Sequence, residues 1–562
     1  MIEYGPAATE VASLRPLAAV AVPGVATLLI VVSARFPRTR EVLSLAAALG
    51  MFGLVAGMVP DVLAGRVHVT VLGTLAPGVE FGLRADPLGA LFGTVASGLY
   101  VVTVVYSVGY LEGVDAAHRT RFFAGLAGSL SATLGVAFAT NLLVLLLFYE
   151  LLTVATYPLV VHEETPEARA AGYKYVAYAF SAGVVILAGT ALLFWVAGTV
   201  AFVPGGTPSL AAAAAADPSL LRTIFGVLVA GFAVKAAVMP LHGWLPSAMV
   251  APTPVSGLLH AVAVVKAGVF GIARVVLEVF GPDTVAALGV GTPLAVVAGA
   301  TILLASLLAL RQDNLKRRLA YSTIAQLSYI VLGLGLLAPA ALLGALIHLP
   351  AHAFAKLTLF LCAGALHVEL GVDDVSDVAG VGRRMPLTMA AFGVASLSMA
   401  GIPLLAGFVS KWFLVLGGVA AGRPIVALLL VLSGALNVAY FWPVVFAAFF
   451  ERPGRSDPKP VLLGELGGSG GSGSSPRPTR TDGAGSRETE NAGVADSADD
   501  SDGRPFDRGS RRRLGRETTP LLWVPILATV TLAVVLGVIP DDFFFLDAAR
   551  TVVENATGVR PP

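Results

Sequence analysis

Cysteine is almost absent from this 562-residue chain, Cys362 being the only one. A single thiol excludes disulfides within the chain and any cysteine-ligated iron–sulfur or zinc centre. Charge is scarce too. Charged residues make up 13% of the sequence and hydrophobic ones 56%, whereas an ordinary soluble domain is about 25% charged, so the chain reads as a polytopic membrane protein. The formal net charge of +1 and the lack of a basic cluster interleaved with aromatics give no nucleic-acid interface. Also missing are a P-loop, an HExxH pair, a nucleophile elbow and a dinucleotide fingerprint, which leaves soluble-type catalysis nothing to stand on. No cofactor and no resident metal is expected. Glu3 and Glu10 stand where a signal peptide would be basic.

Lysine is the third scarcity. Of the 37 basic residues only Lys174, Lys235, Lys266, Lys316, Lys356, Lys411 and Lys459 are lysine, and arginine supplies nearly all the loop charge. Lys235, Lys266, Lys356 and Lys411 nevertheless lie inside long apolar runs, where a charged side chain costs roughly 2.5–3.5 kcal/mol on insertion scales. Lys174 stands at the edge of a run, where snorkelling accounts for it. Arginine keeps its proton in a protein, whereas a desolvated lysine can release one. Chemistry that loads and unloads a proton would choose lysine.

What is present is a succession of membrane-length runs. Residues 17–34, 42–60, 88–111, 122–139, 142–161, 173–196, 223–245, 255–279, 293–310, 319–337, 340–366, 387–417, 425–450 and 521–539 predict an all-α polytopic fold of about 14 helices, each of about 20 residues. Residues 67–84 alternate and contain Gly and Pro, the signature of a small extramembrane hairpin. Residues 451–519, rich in Gly, Ser, Asp and Pro and closed by Arg511, Arg512, Arg513 and Arg516, predict a disordered cytoplasmic loop. Basic residues crowd the odd-numbered loops (Arg35, Arg38, Arg40; Arg119, Arg121; Arg169; Arg311 to Arg318; Arg383, Arg384). By the positive-inside rule those loops face the cytoplasm and both termini lie outside.

Residues 231–275 concentrate the exceptions. Between Lys235 and Lys266 lie Pro240, Pro246, Pro252 and Pro254, and broken backbone at membrane depth is tolerated only where it is buried in protein or lines a wet path. Gly401, Pro403 and Gly407 precede Lys411 in the same manner, so interrupted helices far apart in sequence suggest repeats of inverted topology. Glu150, midway along its run, reads as a proton-loading acid, as the counter-charge of a buried lysine, or as a protonated acid in a packing hydrogen bond. His348, His352 and Lys356 recur every four residues and so share a helix face, with Pro350 expected to loosen the backbone among them. Neutral imidazole accepts on one nitrogen while donating on the other, which suits a proton relay; a metal site is the weaker rival, since no acidic ligand stands on that helix. His242 and His260 divide evenly between packing and function.

The stretches FYELLTVATYPLVV, KAAVMPLHGWLPSAMVAPTPVSGLLHAVAVVKAGV, LKRRLAYSTIAQLSYIVLGL, HAFAKLTLFLCAG and MAGIPLLAGFVSKW resemble the antiporter-like subunits shared by Mrp-type multisubunit sodium/proton antiporters and respiratory complex I, over residues 90–450. GFVSKW followed by VAYFWPVVFAAFF most resembles the D-type subunit of the Mrp antiporter, the related complex I subunits usually having glutamate where Lys411 stands. Leu404 occupies a position where the family commonly has a second proline, so a softer break is expected there. The resemblance implies two inverted five-helix repeats, residues 112–279 and 280–450. These would be flanked by N-terminal helices and an extracellular hairpin (1–111), the 451–519 loop, and a C-terminal helix and tail (520–562). It also implies a mid-membrane axis of Glu150, Lys235, Lys266, His348, His352, Lys356 and Lys411. The function so implied is proton movement coupled to sodium export, alongside other membrane subunits in a prokaryotic plasma membrane. A proton-pumping subunit of a complex I-like or membrane-bound hydrogenase assembly is the first alternative. A non-transporting scaffold or the membrane subunit of an inorganic-carbon uptake system is the second.

Overall fold

Within a bilayer every backbone N–H and C=O must find its partner inside the chain, so apolar runs of this length fold as helices. The computed structural model describes residues 9–452 and 517–562, and the expected disordered loop falls outside them apart from its edges. The chain opens with a short strand, β1 (Thr9–Ala12), then α1 (Arg15–Val32), α2 (Pro37–Ala56) and α3 (Val59–Leu63), followed by β2 (Arg66–Ala76) and β3 (Val79–Ala85). Next come α4 (Pro87–Gly113), α5 (Arg119–Phe138), α6 (Leu142–Val160), α7 (Pro166–Ala197), α8 (Pro208–Ala216) and α9 (Pro218–Lys235). The middle holds α10 (Trp244–Ser247), α11 (Thr253–Ala261), α12 (Val264–Arg274), α13 (Pro282–Leu288), α14 (Gly291–Leu310), α15 (Leu315–Leu336) and α16 (Pro339–Leu370). The last are α17 (Pro386–Ala400), α18 (Ala406–Ala420), α19 (Pro424–Phe450), α20 (Pro520–Val538) and α21 (Phe544–Thr557).

Local chemistry sets the starts and stops. Asp86, Asn141, Thr165, Asp217 and Asn314 each accept a hydrogen bond from a backbone N–H in the first turn of the helix that follows, satisfying donors that the helix leaves orphaned. Gly198, Gly371 and Gly401 close α7, α16 and α17 in left-handed backbone, which lacks a steric cost only for glycine.

Among the described residues 12 helical segments are long and apolar enough to cross a membrane. They correspond to all the predicted spans but 255–279 and 387–417. Those runs are broken. The first is divided into α11, α12 and a π-helical stretch Val275–Val279, with Val262 and Ala263 irregular between α11 and α12. The second is divided into α17 and α18 by a turn in which Gly401 and Leu404 take φ of 90° and 70°. The break there is abrupt, so the softer break expected from Leu404 does not occur. Pro350 corrects another expectation: α16 runs unbroken from Pro339 to Leu370 around it. The prediction for 223–245 overran, since α9 stops at Lys235 and Ala236 begins a series of turns.

The predicted hairpin is present as β2 paired antiparallel with β3, and β1 adds a parallel strand, Thr9 opposite Arg66. The centre of the bundle is α15 and α16, whose most apolar windows are 94% and 83% buried, against 33% for α19. The polar residues in the middle of α15 and α16, among them Ser322, Gln326, His348, His352 and Lys356, are buried in protein.

Candidate functional site

The buried polar groups begin where α9 ends. Lys235, its last residue, is fully buried. Its Nζ donates to the Tyr149 carbonyl at 2.5 Å and sits 3.4 Å from the centroid of the Tyr149 ring, so a carbonyl dipole and a π-face share the cation. Glu150, the next residue on α6, packs against Gly183 of α7, where a Cβ would lie 2.2 Å from Oε1. Among the described residues neither carboxyl oxygen has a hydrogen-bond partner. Glu150 and Lys235 interact electrostatically, but among the described residues no ion pair within 4 Å joins them, because the Lys235 amine ends on the Tyr149 carbonyl.

From α9 the polar groups pass to α12. The backbone of Gly268 lies so close to the end of α9 that a Cβ there would stand 2.3 Å from the Ala236 nitrogen. Lys266, two residues earlier on α12, is buried and places Nζ 2.9 Å from His352 Nδ1 and 3.1 Å from the Leu349 carbonyl. The His352 and His348 rings are 6.1 Å apart, and His348 Nδ1 is 2.8 Å from Ser410 Oγ on α18. Lys411, beside Ser410, donates to the Met399 and Ala400 carbonyls at 2.6 and 3.1 Å, with the Tyr329 ring 4.8 Å away. Lys266, His352, His348, Ser410 and Lys411 therefore run in order across three helices.

Lys356 leaves that row. Although it shares α16 with both histidines, its Nζ donates to Ser322 Oγ and to the Leu319 carbonyl of α15, 5.6 Å from the Phe441 ring. Successive i+4 steps drift around a helix, so the predicted stripe fans toward α18 at His348 and toward α15 at Lys356. His260 is fully buried with neither ring nitrogen hydrogen-bonded and Phe360 4.9 Å away. His242 is half-buried, its ring 6.3 Å from Tyr321. Lys174 donates to Ser247 at 3.0 Å from an exposed position, as snorkelling requires.

Sequence reading missed the polar groups that flank this row. Ser322, Gln326 and Tyr329 lie on α15, and Ser433, Asn437 and Tyr440 on α19. Tyr329 bonds Ser433 at 2.7 Å, Gln326 bonds Asn437 at 3.1 Å and the Met399 carbonyl at 3.3 Å, and Tyr440 bonds Asn437. Both sets recur at i, i+4 and i+7, a one-face spacing that was there to be found. Also missed was Arg274, fully buried at the end of α12. Its guanidinium forks onto Asp86 at 2.8 and 3.0 Å and pairs with Glu278. The sequence reading did not single it out, although Arg274 and Glu278 stand i, i+4 within an apolar run.

Chemically, the row is a file of two amines, two imidazoles and one hydroxyl, hydrogen-bonded at Lys266–His352 and at His348–Ser410, with the two imidazole rings 6.1 Å apart between those pairs. Among the described residues neither histidine has a hydrogen-bond partner on Nε2. Residues 139–437 match the family model described as NADH:quinone oxidoreductase/Mrp antiporter, transmembrane. NADH-quinone oxidoreductase subunit N of Desulforudis audaxviator (strain MP104C) is 35% identical over 401 residues, 69% of this chain and 76% of that one. NADH-quinone oxidoreductase subunit L of Mycobacterium tuberculosis (strain CDC 1551 / Oshkosh) is 33% identical over 426 residues, 73% of this chain but 65% of that longer one. In three dimensions the chain is similar to one in the Mrp complex from Dietzia sp. DQ12-45-1b, with a TM-score of 0.76, 25% identity, and coverage of 97% of this chain and 98% of that one.

Proposed function

The chain belongs to the NADH:quinone oxidoreductase/Mrp antiporter transmembrane family, as a multi-pass antiporter-like subunit, and on that premise we propose that it translocates protons within a multisubunit cation/proton antiporter of the Mrp type, in the place of the D-type subunit. Sodium is the driven cation in this reading, and a prokaryotic plasma membrane its location. The observation that carries it is the row from Lys266 through His352 and His348 to Ser410 and Lys411, with closest contacts of 2.9 and 2.8 Å. Glu150 and Lys235 stand at its near end and Lys356 on a branch. Lysine rather than glutamate at position 411 favours the antiporter over a redox-driven pump. The broken runs at α11/α12 and α17/α18 support dividing residues 112–279 and 280–450 into repeats of inverted topology.

A second reading is favoured by the quinone oxidoreductase relatives: the same row would serve a proton-pumping arm driven by electron transfer elsewhere in a larger complex. Purification of the native complex separates them. Partners that are all membrane proteins, together with collapse of a pH gradient in everted vesicles on adding sodium salt, support the antiporter. Co-purifying flavin or iron–sulfur subunits, with no cation-dependent proton movement, overturn it in favour of the pump.

A further inference from the structure

Lys266 is carried by a helix whose two ends both depart from regular α-helix. At its N-terminal side α12 is separated from α11 by Val262 and Ala263, whose backbone is irregular, and at its C-terminal side it passes into the π-helical stretch Val275–Val279. Contact of Gly268 with the end of α9 braces the middle of α12, and a second anchor is needed to fix its C-terminal end. That role falls to Arg274, the last residue of α12 and about 12 Å along the helix from Lys266 at 1.5 Å per residue.

Its surroundings come from many elements. Asp86, which also caps α4, receives both arms of the guanidinium, and Glu278 on the π-turn receives one of them as well. The Ala137 carbonyl of α5 accepts at 3.2 Å, and Arg84 at the end of β3 reaches Asp86 at 3.3 Å. The rings of Phe202 and Phe270 lie 4.9 and 5.0 Å from the guanidinium carbon. Gly89 lets the cluster close, because a Cβ there would meet the Ala137 oxygen at 2.5 Å and Arg274 Nη2 at 3.4 Å. On the remaining side α21 covers Asp86 and Glu278 with Val552, Asn555 and Ala556 around a cavity of about 20 Å³, room for one water. Two arginines thus face two carboxylates in a site shielded from lipid. The bidentate fork fixes direction as well as charge.

We propose that the Arg274–Asp86–Glu278 cluster is a positioning device for α12: it sets the register of that broken helix, and through it the contact of Lys266 with His352. A buried ionic cluster is a weak source of net stability but a strong means of selecting one geometry over its neighbours. This inference rests on the proton-row reading of Lys266, which is hydrogen-bonded to His352 and interacts electrostatically with His348 and Lys356, while His260 faces His352 and Lys356.

The test uses the whole complex in everted vesicles and, separately, purified. Glu278→Gln and Asp86→Asn are expected to assemble. They should lower the maximal rate of cation-dependent proton exchange by on the order of 10²-fold, the effect of about 1 Å of misplacement, and move the pH optimum by about one unit, equivalent to a tenfold change in proton affinity. Glu278→Asp, which keeps the charge, should keep the optimum. Amide hydrogen exchange should rise across residues 264–274 in the neutral variants and stay unchanged in α16. Assembled neutral variants with an unmoved optimum and unchanged exchange in 264–274 overturn the proposal. If the neutral variants do not assemble, Arg274→Lys carries the same readouts, since it keeps the charge and loses the fork; an unmoved optimum there overturns the proposal too. Wild-type vesicles without proton exchange would sink the transport reading instead, and the amide exchange would still decide the positioning role.

Discussion

Lys411 caps the helix that precedes its own, its Nζ 2.6 Å from the Met399 carbonyl and 3.1 Å from that of Ala400. These are the last residues of α17, and the C-terminus of a helix carries roughly half a negative charge on its unpaired carbonyls. The turn at Gly401 to Leu405 folds α18 back so that its lysine meets them. One side chain thereby satisfies backbone acceptors that the break would otherwise leave bare in an apolar setting.

Replacing that lysine by the acid should therefore fail structurally. In Lys411→Glu a carboxylate faces carbonyls with no donor between them, and each unsatisfied buried group costs about 1–3 kcal/mol. The expected outcome is reduced assembly and a lower thermal midpoint of the solubilised complex, whereas Lys411→Met should assemble better yet lose proton-coupled exchange. An acid variant as stable as wild type would contradict the capping role.

Lys235→Arg separates a proton carrier from a structural cation. Guanidinium keeps both the charge and the affinity for a π-face but cannot give up its proton, so exchange should be lost while the complex persists. Glu150→Gln should cost less than about 1 kcal/mol in stability, because its oxygens have no hydrogen bond to lose, and should also abolish exchange. Wild-type exchange in Lys235→Arg would leave only the structural role.

Leu404 adopts φ of 70° at an exposed position. Left-handed backbone costs a residue bearing a Cβ roughly 1–2 kcal/mol, so Leu404→Gly should raise the thermal midpoint. Leu404→Pro should lower it, since the ring fixes φ near −65°; a neutral proline would mean the turn can be rebuilt.

Orientation is open to chemical labelling. With Cys362 replaced, a cysteine at Thr74 in β2 should react with an impermeant thiol reagent in intact cells, and one at Ser33 at the end of α1 should not. The reverse pattern would invert the assignment drawn from the loop arginines.

Outside the spans, Asp373 lies 3.0 Å from His367 through both carboxyl oxygens. The hydrogen bond from His367, opposed by partial burial and aided by the charges of His367 and Lys316, holds the Asp373 carboxyl below its ordinary value of 3.8. A carboxyl lowered on folding contributes fully above its unfolded value and loses that contribution as pH falls through the lower folded one. Amide exchange in residues 371–375 should then be no faster, once corrected for intrinsic rates, at pH 5 than at pH 8 and should rise below pH 4, and Asp373→Asn should remove that acid step. Being half exposed, the contact should contribute under about 1 kcal/mol.

The helices were legible because hydropathy and the cost of bare backbone in lipid leave a chain few choices, and the break before Lys411 was marked by Gly401 and Pro403, whereas the one at Val262 and Ala263 carries neither Pro nor Gly. The ionisable residues were legible by their depth alone. Direction was not. Nothing in the spacing of His352 and Lys356 tells which neighbouring helix each will meet, and the Tyr149 carbonyl that receives Lys235 is backbone, invisible to residue patterns. Ser322, Gln326 and Tyr329 were passed over because uncharged polar residues raise little signal in a hydropathy window, and Arg274 because one arginine near the end of a run looks like an anchor.

Gly268 carries a mechanical consequence. With no Cβ between it and the end of α9, the backbones on which Lys235 and Lys266 are mounted touch directly. Packed interiors transmit displacement with little compression. An axial slip of α12 that breaks the contact of Lys266 with His352 must therefore either push on Ala236 or open a gap there. The two amines sit on meshed parts, and a single methyl group, in Gly268→Ala, is enough to wedge them apart.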